Sequence, residues 1–294
     1  MKLFSITLLY LIILFSPFQI SAQDSTETDE TWKWEWDEFD EWTDWHNKRP
    51  AISLNYGISD ISRTDVEAPF ADNNLIELKL GYSYSKVSKY ADYIDKNNFN
   101  YLFLNRNSTS LAGGSDDNST IETNNWQFGA GWSDGYGYRL GESASISPYY
   151  TSSLTWTNLD FSDDTLSPND ERIKELYDES FRFGSSSEAG IRVQATGLIS
   201  IDAGYERSIV FERHLFWKWA GSAVIEAAAN GVLDVFIQEI FKSSPSAGPI
   251  VFFVLKSALG YGLYELRQDK MNWPFPSAPP IAMDNFKFGV TLTF

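Results

Sequence analysis

The sequence predicts an all-β membrane protein, an antiparallel transmembrane β-barrel of eight strands with a helical insertion before the last strand. Apolar and polar residues alternate within a series of segments. The connections between these segments are alternately long and short. Most of the segments are also longer than the five or six residues usual for strands of soluble sheets, and long enough for a tilted strand to cross a bilayer.

The alternation begins at segment 51–59, AISLNYGIS, in which every second residue is apolar. Successive side chains of a strand point to opposite faces, so the segment has one apolar and one polar face. Segment 98–105 fits this pattern least well, because Leu102 and Leu104 interrupt its polar side. The same pattern is found in segments 76–85, 125–133, 143–157, 188–196, 199–211 and 285–294.

Periodicity does not say which face meets solvent, since an apolar face can line a soluble core or contact lipid. Aromatic residues concentrate near the segment ends, as the aromatic girdles of a membrane barrel require. The connections differ in length in the manner of such barrels, with long loops at one end and short turns at the other. The long ones are 60–75, 106–124 and 158–187, and the short ones are 86–97, 134–142 and 197–198.

Charged residues occur on the polar faces of these segments, where a barrel places its interior. Eight strands leave an interior that side chains just fill, so opposite charges there are expected to pair. The expectation is a packed lumen and no wide pore. The predicted lumen charges are Glu77, Lys79, Glu188, Arg192, Asp202, Glu206 and Lys287.

The N-terminus contains the parts of a secretory signal in their usual order. Lys2 precedes an apolar run over 3–20, and Ala22 offers a cleavage point, which gives a signal peptide over 1–22. The alternative is a membrane anchor, which the length of the run allows. The sequence has two histidines and no cysteine, so it gives no sign of a resident metal or cofactor. Its net charge of −17 argues against nucleic acid as a partner.

Residues 23–49 form an acidic segment rich in tryptophan, with the sequence TWKWEWDEFDEWTDW over 31–45. Helical spacing would place Trp32, Trp36 and Trp42 on one face. Two interpretations remain open: indoles at the lipid headgroups, or aromatic anchors that dock another envelope protein. A metal site at His46 would need more ligands than its one neighbouring carboxylate.

The insertion covers about 213–284 and departs from the alternating pattern. Residues 215–242 predict a helix with a polar residue at every fourth position, including Glu226, Asn230 and Asp234, which would meet a polar partner or a lumen charge. Residues 249–267 fit either a second helix or a strand pair, and the pair would raise the strand count to ten. The first helix can plug the barrel, cap it or lie against its lipid face.

The signal peptide, the alternating strands, the loop asymmetry and the aromatic Phe294 together resemble bacterial outer-membrane β-barrel proteins, especially the small eight-stranded type. The resemblance implies the bacterial outer membrane as location, contact with its lipid, and residues 23–49 in the periplasm. It also implies that the barrel-insertion machinery reads Phe294 as an assembly signal.

The expected function is a structural or partner-binding role in the cell envelope. Two alternatives stay open, a barrel hydrolase that acts on lipid through His214 and a secreted soluble β-protein. No nucleophile is fixed for the first alternative, so no catalytic residue is assigned. For the hydrolase alternative, Glu212 is the neighbouring acid in the sequence, two residues before His214.

Overall fold

The computed structural model describes residues 48–114, 120–141, 143–161, 167–178 and 180–294. The signal peptide over 1–22 and the tryptophan residues Trp32, Trp36 and Trp42 lie outside the described residues. The predictions for them therefore stay predictions.

Eight antiparallel strands close into a barrel, each paired with its neighbours in the sequence. The last strand pairs with the first, with Phe288 opposite Tyr56, so the sheet has no open edge. The strands are β1 Arg49–Ser62, β2 Asn73–Ser88, β3 Ala91–Ser108, β4 Asn124–Arg139, β5 Ser145–Asn158, β6 Phe181–Gln194, β7 Ile199–Val210 and β8 Ile281–Thr293.

The distribution of apolar residues is inverted relative to a soluble protein. The outward side chains of Leu54, Leu102 and Phe288 are 58%, 67% and 53% exposed, while the inward Glu77 and Lys287 are 1% and 2% exposed. An apolar outer wall around a polar interior suits lipid outside and a packed lumen inside. The alternative of a secreted soluble β-protein is therefore wrong.

Connection lengths alternate as the sequence predicts. Residues 89–90, 140–144 and 195–198 make short turns at one end, and the long connections 63–72, 109–123, 159–180 and 211–280 leave the other end. The prediction of a connection over 86–97 is wrong, because most of these residues belong to strands, with Lys86 opposite Lys96. Polar and apolar residues are mixed on both faces of this hairpin, so its sequence lacks the alternation that would reveal strands.

A short helix, α1 (Pro168–Tyr177), lies over the long-loop end of the barrel. The Asp170 carboxylate accepts hydrogen bonds from the backbone N–H groups of Glu67 and Ala68, which ties the helix to the first long loop. Beneath it, apolar side chains fill the mouth of the barrel: Ile61, Ile121, Leu159, Phe161, Ile173, Tyr177, Val210, Ile281 and Met283.

The insertion forms two helices, α2 (Phe216–Ser243) and α3 (Gly248–Gln268). The strand-pair alternative for 249–267, with its ten strands, is wrong. Both helices are long and apolar enough to cross a membrane, by length and composition.

The two helices make a hairpin on the outer wall of the barrel. At the start of α2, Trp219 packs edge-on against Phe183, which lies at the long-loop end of β6. At the other end of α2, Phe241 packs against Tyr90 and Tyr136, at the short-turn end of the barrel. The hairpin therefore runs along the wall from one end to the other, and neither plugs the lumen nor caps it.

Candidate functional site: the closed lumen and the helical hairpin

The centre of the lumen holds one lysine among three carboxylates. Lys287 Nζ of β8 lies 3.1 Å from Glu77 Oε1, 2.6 Å from Glu188 Oε2 and 2.9 Å from Glu206 Oε2. These groups come from four different strands, and each occupies an inward position of its strand. The cluster therefore binds opposite walls of the barrel together.

A second cation adjoins this cluster. Lys79 Nζ lies 3.2 Å from Glu188 Oε2 and 3.3 Å from Glu77 Oε1, and it also lies 4.8 Å from the ring centre of Tyr101. Lys79 and Lys287 thus share two carboxylates. Such sharing is what keeps buried charges tolerable away from water.

Arg192 and Asp202 make a separate inward pair. They are direct neighbours in the β6–β7 ladder, with 2.5 Å between Nε and Oδ1. The guanidinium also lies over the rings of Phe99 and Tyr149, and Thr291 donates to the second carboxylate oxygen at 2.7 Å.

Neutral donors complete the hydrogen bonding of the lumen carboxylates. Tyr149 Oη donates to Glu188 at 2.5 Å, Asn55 Nδ2 donates to Glu77 at 3.1 Å, and Asn285 Nδ2 donates to Glu206 at 2.8 Å. Sequence reasoning missed these three donors, although each has the inward phase of its strand. A cavity of about 10 Å³ beside this network has room for about one water molecule.

The mouth of the barrel contains a polar cluster that was not predicted from the sequence. Arg63 lies 3.0 Å from Glu212 and 2.5 Å from Asp65, and it donates to Tyr177 Oη at 2.7 Å. These contacts connect three long loops. Burial raises the pKa of Tyr177 above its ordinary value.

His214 lies among aromatic rings at the outer wall. Its neighbours are Phe183, Phe216 and Trp219, with ring centres 5.0, 6.1 and 5.8 Å away. Glu212, the acid closest to it in sequence, bonds to Arg63 in the mouth. The arrangement offers no support for a hydrolase built on His214. Within the described ranges, no cluster of three His, Asp or Glu side chains could hold a metal ion.

The polar stripe of α2 faces α3. Arg267 Nη2 lies 2.8 Å from Glu226 Oε2, and Lys256 Nζ lies 2.7 Å from Asp234 Oδ1. Lys256 also donates to Asn230 Oδ1 at 2.9 Å. The partners of Glu226, Asn230 and Asp234 are thus the cations of the neighbouring helix and not the lumen charges, because the hairpin lies outside the barrel.

Close contacts hold α3 against the wall. A Cβ atom placed on Gly260 would come within 2.3 Å of the Tyr150 hydroxyl of β5, so a side chain at this position would displace Tyr150 or α3. Nearer the long-loop end, the Arg207 guanidinium of β7 lies 4.5 Å from the ring centre of Tyr261 and 5.8 Å from that of Tyr264. Cation–π contacts of this kind strengthen where water is excluded.

A family model described as "Outer membrane protein beta-barrel domain" matches residues 39–229. The chain belongs to this family. Membership places the protein in the bacterial outer membrane, with its apolar wall in lipid. The long loops of an outer-membrane barrel are extracellular and its short turns periplasmic. The matched region ends within α2, so α3 and β8 lie beyond it.

A comparison with solved structures finds matches at low sequence identity and low TM-score. Neisserial surface protein A has 10% identity and a TM-score of 0.38, covering 83% of this chain and 97% of its own. Ail of Yersinia pestis has 9% identity and a TM-score of 0.33, covering 84% and 99%. OprG of Pseudomonas aeruginosa has 10% identity and a TM-score of 0.28, covering 84% and 96%. A comparison with curated protein sequences finds no match.

The central lysine of this outer-membrane barrel should be important for stability. Changing Lys287→Met leaves Glu77, Glu188 and Glu206 with Lys79 as their nearby cation, and we expect a loss of about 3–5 kcal/mol in the free energy of unfolding. Urea unfolding followed by tryptophan fluorescence in lipid vesicles measures it. Adding Glu206→Gln should restore more than half of the loss, because it removes one unpaired carboxylate. A double variant no more stable than Lys287→Met would contradict this account.

The close approach of α3 to the wall can be tested with two glycines of the same helix. Gly260→Leu should displace α3 from Tyr150 and cost about 1–3 kcal/mol, which is typical of an overpacked contact. Gly262→Leu is the matched control, because a Cβ atom at Gly262 meets no atom within 4 Å. Equal losses in the two variants, measured by the same unfolding assay, would show that α3 does not pack as described.

Proposed function

We propose that this outer-membrane protein is a non-conducting barrel with a structural or partner-binding role in the cell envelope. The observation that carries the proposal is the filled lumen. Transport through the barrel would need a continuous path, whereas side chains occupy the interior at successive levels.

Three layers of side chains support this proposal. Apolar residues under α1 fill the extracellular mouth, the Lys287 cluster fills the centre, and aromatic side chains pack nearer the periplasmic end. Phe99 and Tyr101 of that third layer have ring centres 4.8 Å apart. Opening a path would mean separating buried charges from their partners, which is energetically costly.

Parts of the chain outside the barrel wall are then the candidates for binding. Arg49, at the start of β1, donates hydrogen bonds to the backbone oxygens of Gly197 and Thr293 at the short-turn end. We propose that residues 23–49 lie in the periplasm. We propose that Trp32, Trp36 and Trp42 anchor another envelope protein there, and that the surrounding carboxylates favour a basic partner.

The hairpin is the second candidate surface. Because Glu226, Asn230 and Asp234 already bond to α3, a partner at this side would contact mainly the apolar face of α2. Val232 and Phe236 on that face are 75% and 55% exposed. The outer-membrane lipid is the default neighbour of this face.

We also propose that the barrel-insertion machinery reads Phe294. Its side chain is 59% exposed and its backbone N–H donates to the Pro50 oxygen at 2.9 Å. The ring thus extends from the end of the β8–β1 seam, where it is accessible to another protein.

Planar-bilayer recordings test the closed lumen directly. We expect purified protein to show no large, steady conductance at neutral pH, because side chains occupy the interior throughout the part of the barrel that the structure describes. A lumen variant that removes bulk, Tyr101→Ala with Phe99→Ala, should remain closed as well, since Lys287 with its carboxylates and the apolar mouth are still in place. A steady porin-like current from the unchanged protein would refute the proposal.

Deletion of residues 31–45 tests the docking segment. The variant should assemble into outer membranes as the full chain does and should lose co-purification of one specific crosslinked partner. Replacing Trp32, Trp36 and Trp42 by alanine should have the same effect. Replacing Trp34 and Trp45 is the matched control and should retain the partner. If the deletion variant captures the same proteins as the full chain, the segment has no docking role.

A further inference from the structure

The two helices of the hairpin are apolar enough to span a membrane and yet contain charges within their length. The mean hydropathy of the most apolar window reaches 1.4 in α2 and 1.3 in the segment that contains α3. Glu226 and Asp234 lie in the interior of α2, and Lys256 and Arg267 lie on α3. Ionisable residues at membrane depth are rare and usually functional.

An apolar helix presents a problem for a protein of the outer membrane, because such a protein must first cross the inner membrane as an unfolded chain. A segment of this length without central charges would insert there and remain. Charged residues near the centre of a helix strongly oppose that insertion. In the unfolded chain these residues have no fixed partners, so each helix meets the inner membrane with its charges uncompensated.

Folding changes this situation, because every one of these charges gains a partner on the other helix. The pairs are Glu226 with Arg267 at 2.8 Å and Asp234 with Lys256 at 2.7 Å. The side chains of Lys256 and Arg267 are only 11% and 12% exposed. Paired in this way, the charges cost far less in contact with lipid than they would singly.

The surface on which the hairpin rests requires strands β5, β6 and β7 to be paired. Gly260 of α3 fits against Tyr150 of β5, and Tyr261 packs on Arg207 of β7. These wall residues belong to strands that pair with neighbours on both sides. The hairpin therefore finds its charge partners and its docking surface together, in the outer membrane.

We propose that the two interhelical charge pairs decide in which membrane the hairpin inserts. Unpaired during export, they keep α2 and α3 out of the inner membrane. Paired after barrel assembly, they let the same helices lie in the outer membrane beside the wall.

Three full-length variants test this proposal in a Gram-negative host, with inner and outer membranes separated by density and extracted with urea. Asp234→Leu with Lys256→Leu removes one pair and leaves long apolar stretches. We expect most of this variant, at least tenfold more than the unchanged chain, in the urea-resistant inner-membrane fraction.

The exchanged pair, Asp234→Lys with Lys256→Asp, is the matched control. It keeps one charge at each position and the possibility of pairing, so we expect it in the outer membrane at the level of the unchanged chain. Lys256→Glu keeps a charge but faces Asp234 with a second carboxylate. We expect this variant to be exported across the inner membrane. Its folded, heat-modifiable fraction should be smaller than that of the unchanged chain.

These arms distinguish export from folding. Outer-membrane recovery of the Asp234→Leu, Lys256→Leu variant at the unchanged level would overturn the proposal, because its helices would then cross the inner membrane without the charges. Retention of Lys256→Glu in the inner membrane would overturn it as well, since loss of pairing rather than loss of charge would then cause retention.

Discussion

The rest of this structure depends on one constraint: in hydrocarbon, each backbone N–H and C=O needs a partner within the protein. Closure of β8 onto β1 meets it for the sheet, since no strand is left with an unpaired edge in lipid. Helical hydrogen bonds meet it for α2 and α3. Both types of element can therefore lie side by side in one membrane.

Closure with eight strands also determines the interior. At this size the inward side chains must fill the space themselves, and the inward positions here are largely polar. Lys287, with carboxylates from three other strands around it, shows how such an interior becomes compatible with burial. The same contacts that stabilise the barrel also occupy its interior, which is the basis for proposing a binding role for parts of the chain outside the lumen.

The hairpin, like the lumen, contains charged side chains that are paired with each other. Charges that would be costly alone are paired between α2 and α3, and glycine at position 260 lets the helix approach the wall. Buried ion pairs are generally weak contributors to stability, because desolvation offsets their attraction. Their presence in an apolar hairpin therefore suggests a requirement other than stability, which the export of the chain supplies.

The sequence by itself determined most of the strands and their two faces, because alternation separates the side chains of one face from those of the other. Which face meets lipid followed from the length of the strands, the aromatic residues at their ends and the unequal connections. It placed Glu77 and Lys287 on inward positions but could not show that they meet, since they lie on strands joined only when the barrel closes. Only the tertiary structure decided that 249–267 is helical, where a pattern apolar on most sides fits helix and strand alike. It alone also gave Glu226 and Asp234 their partners on α3. Contacts between elements far apart in sequence leave no local pattern in it. The position of the hairpin on the outer wall depends on such contacts and so could not be predicted.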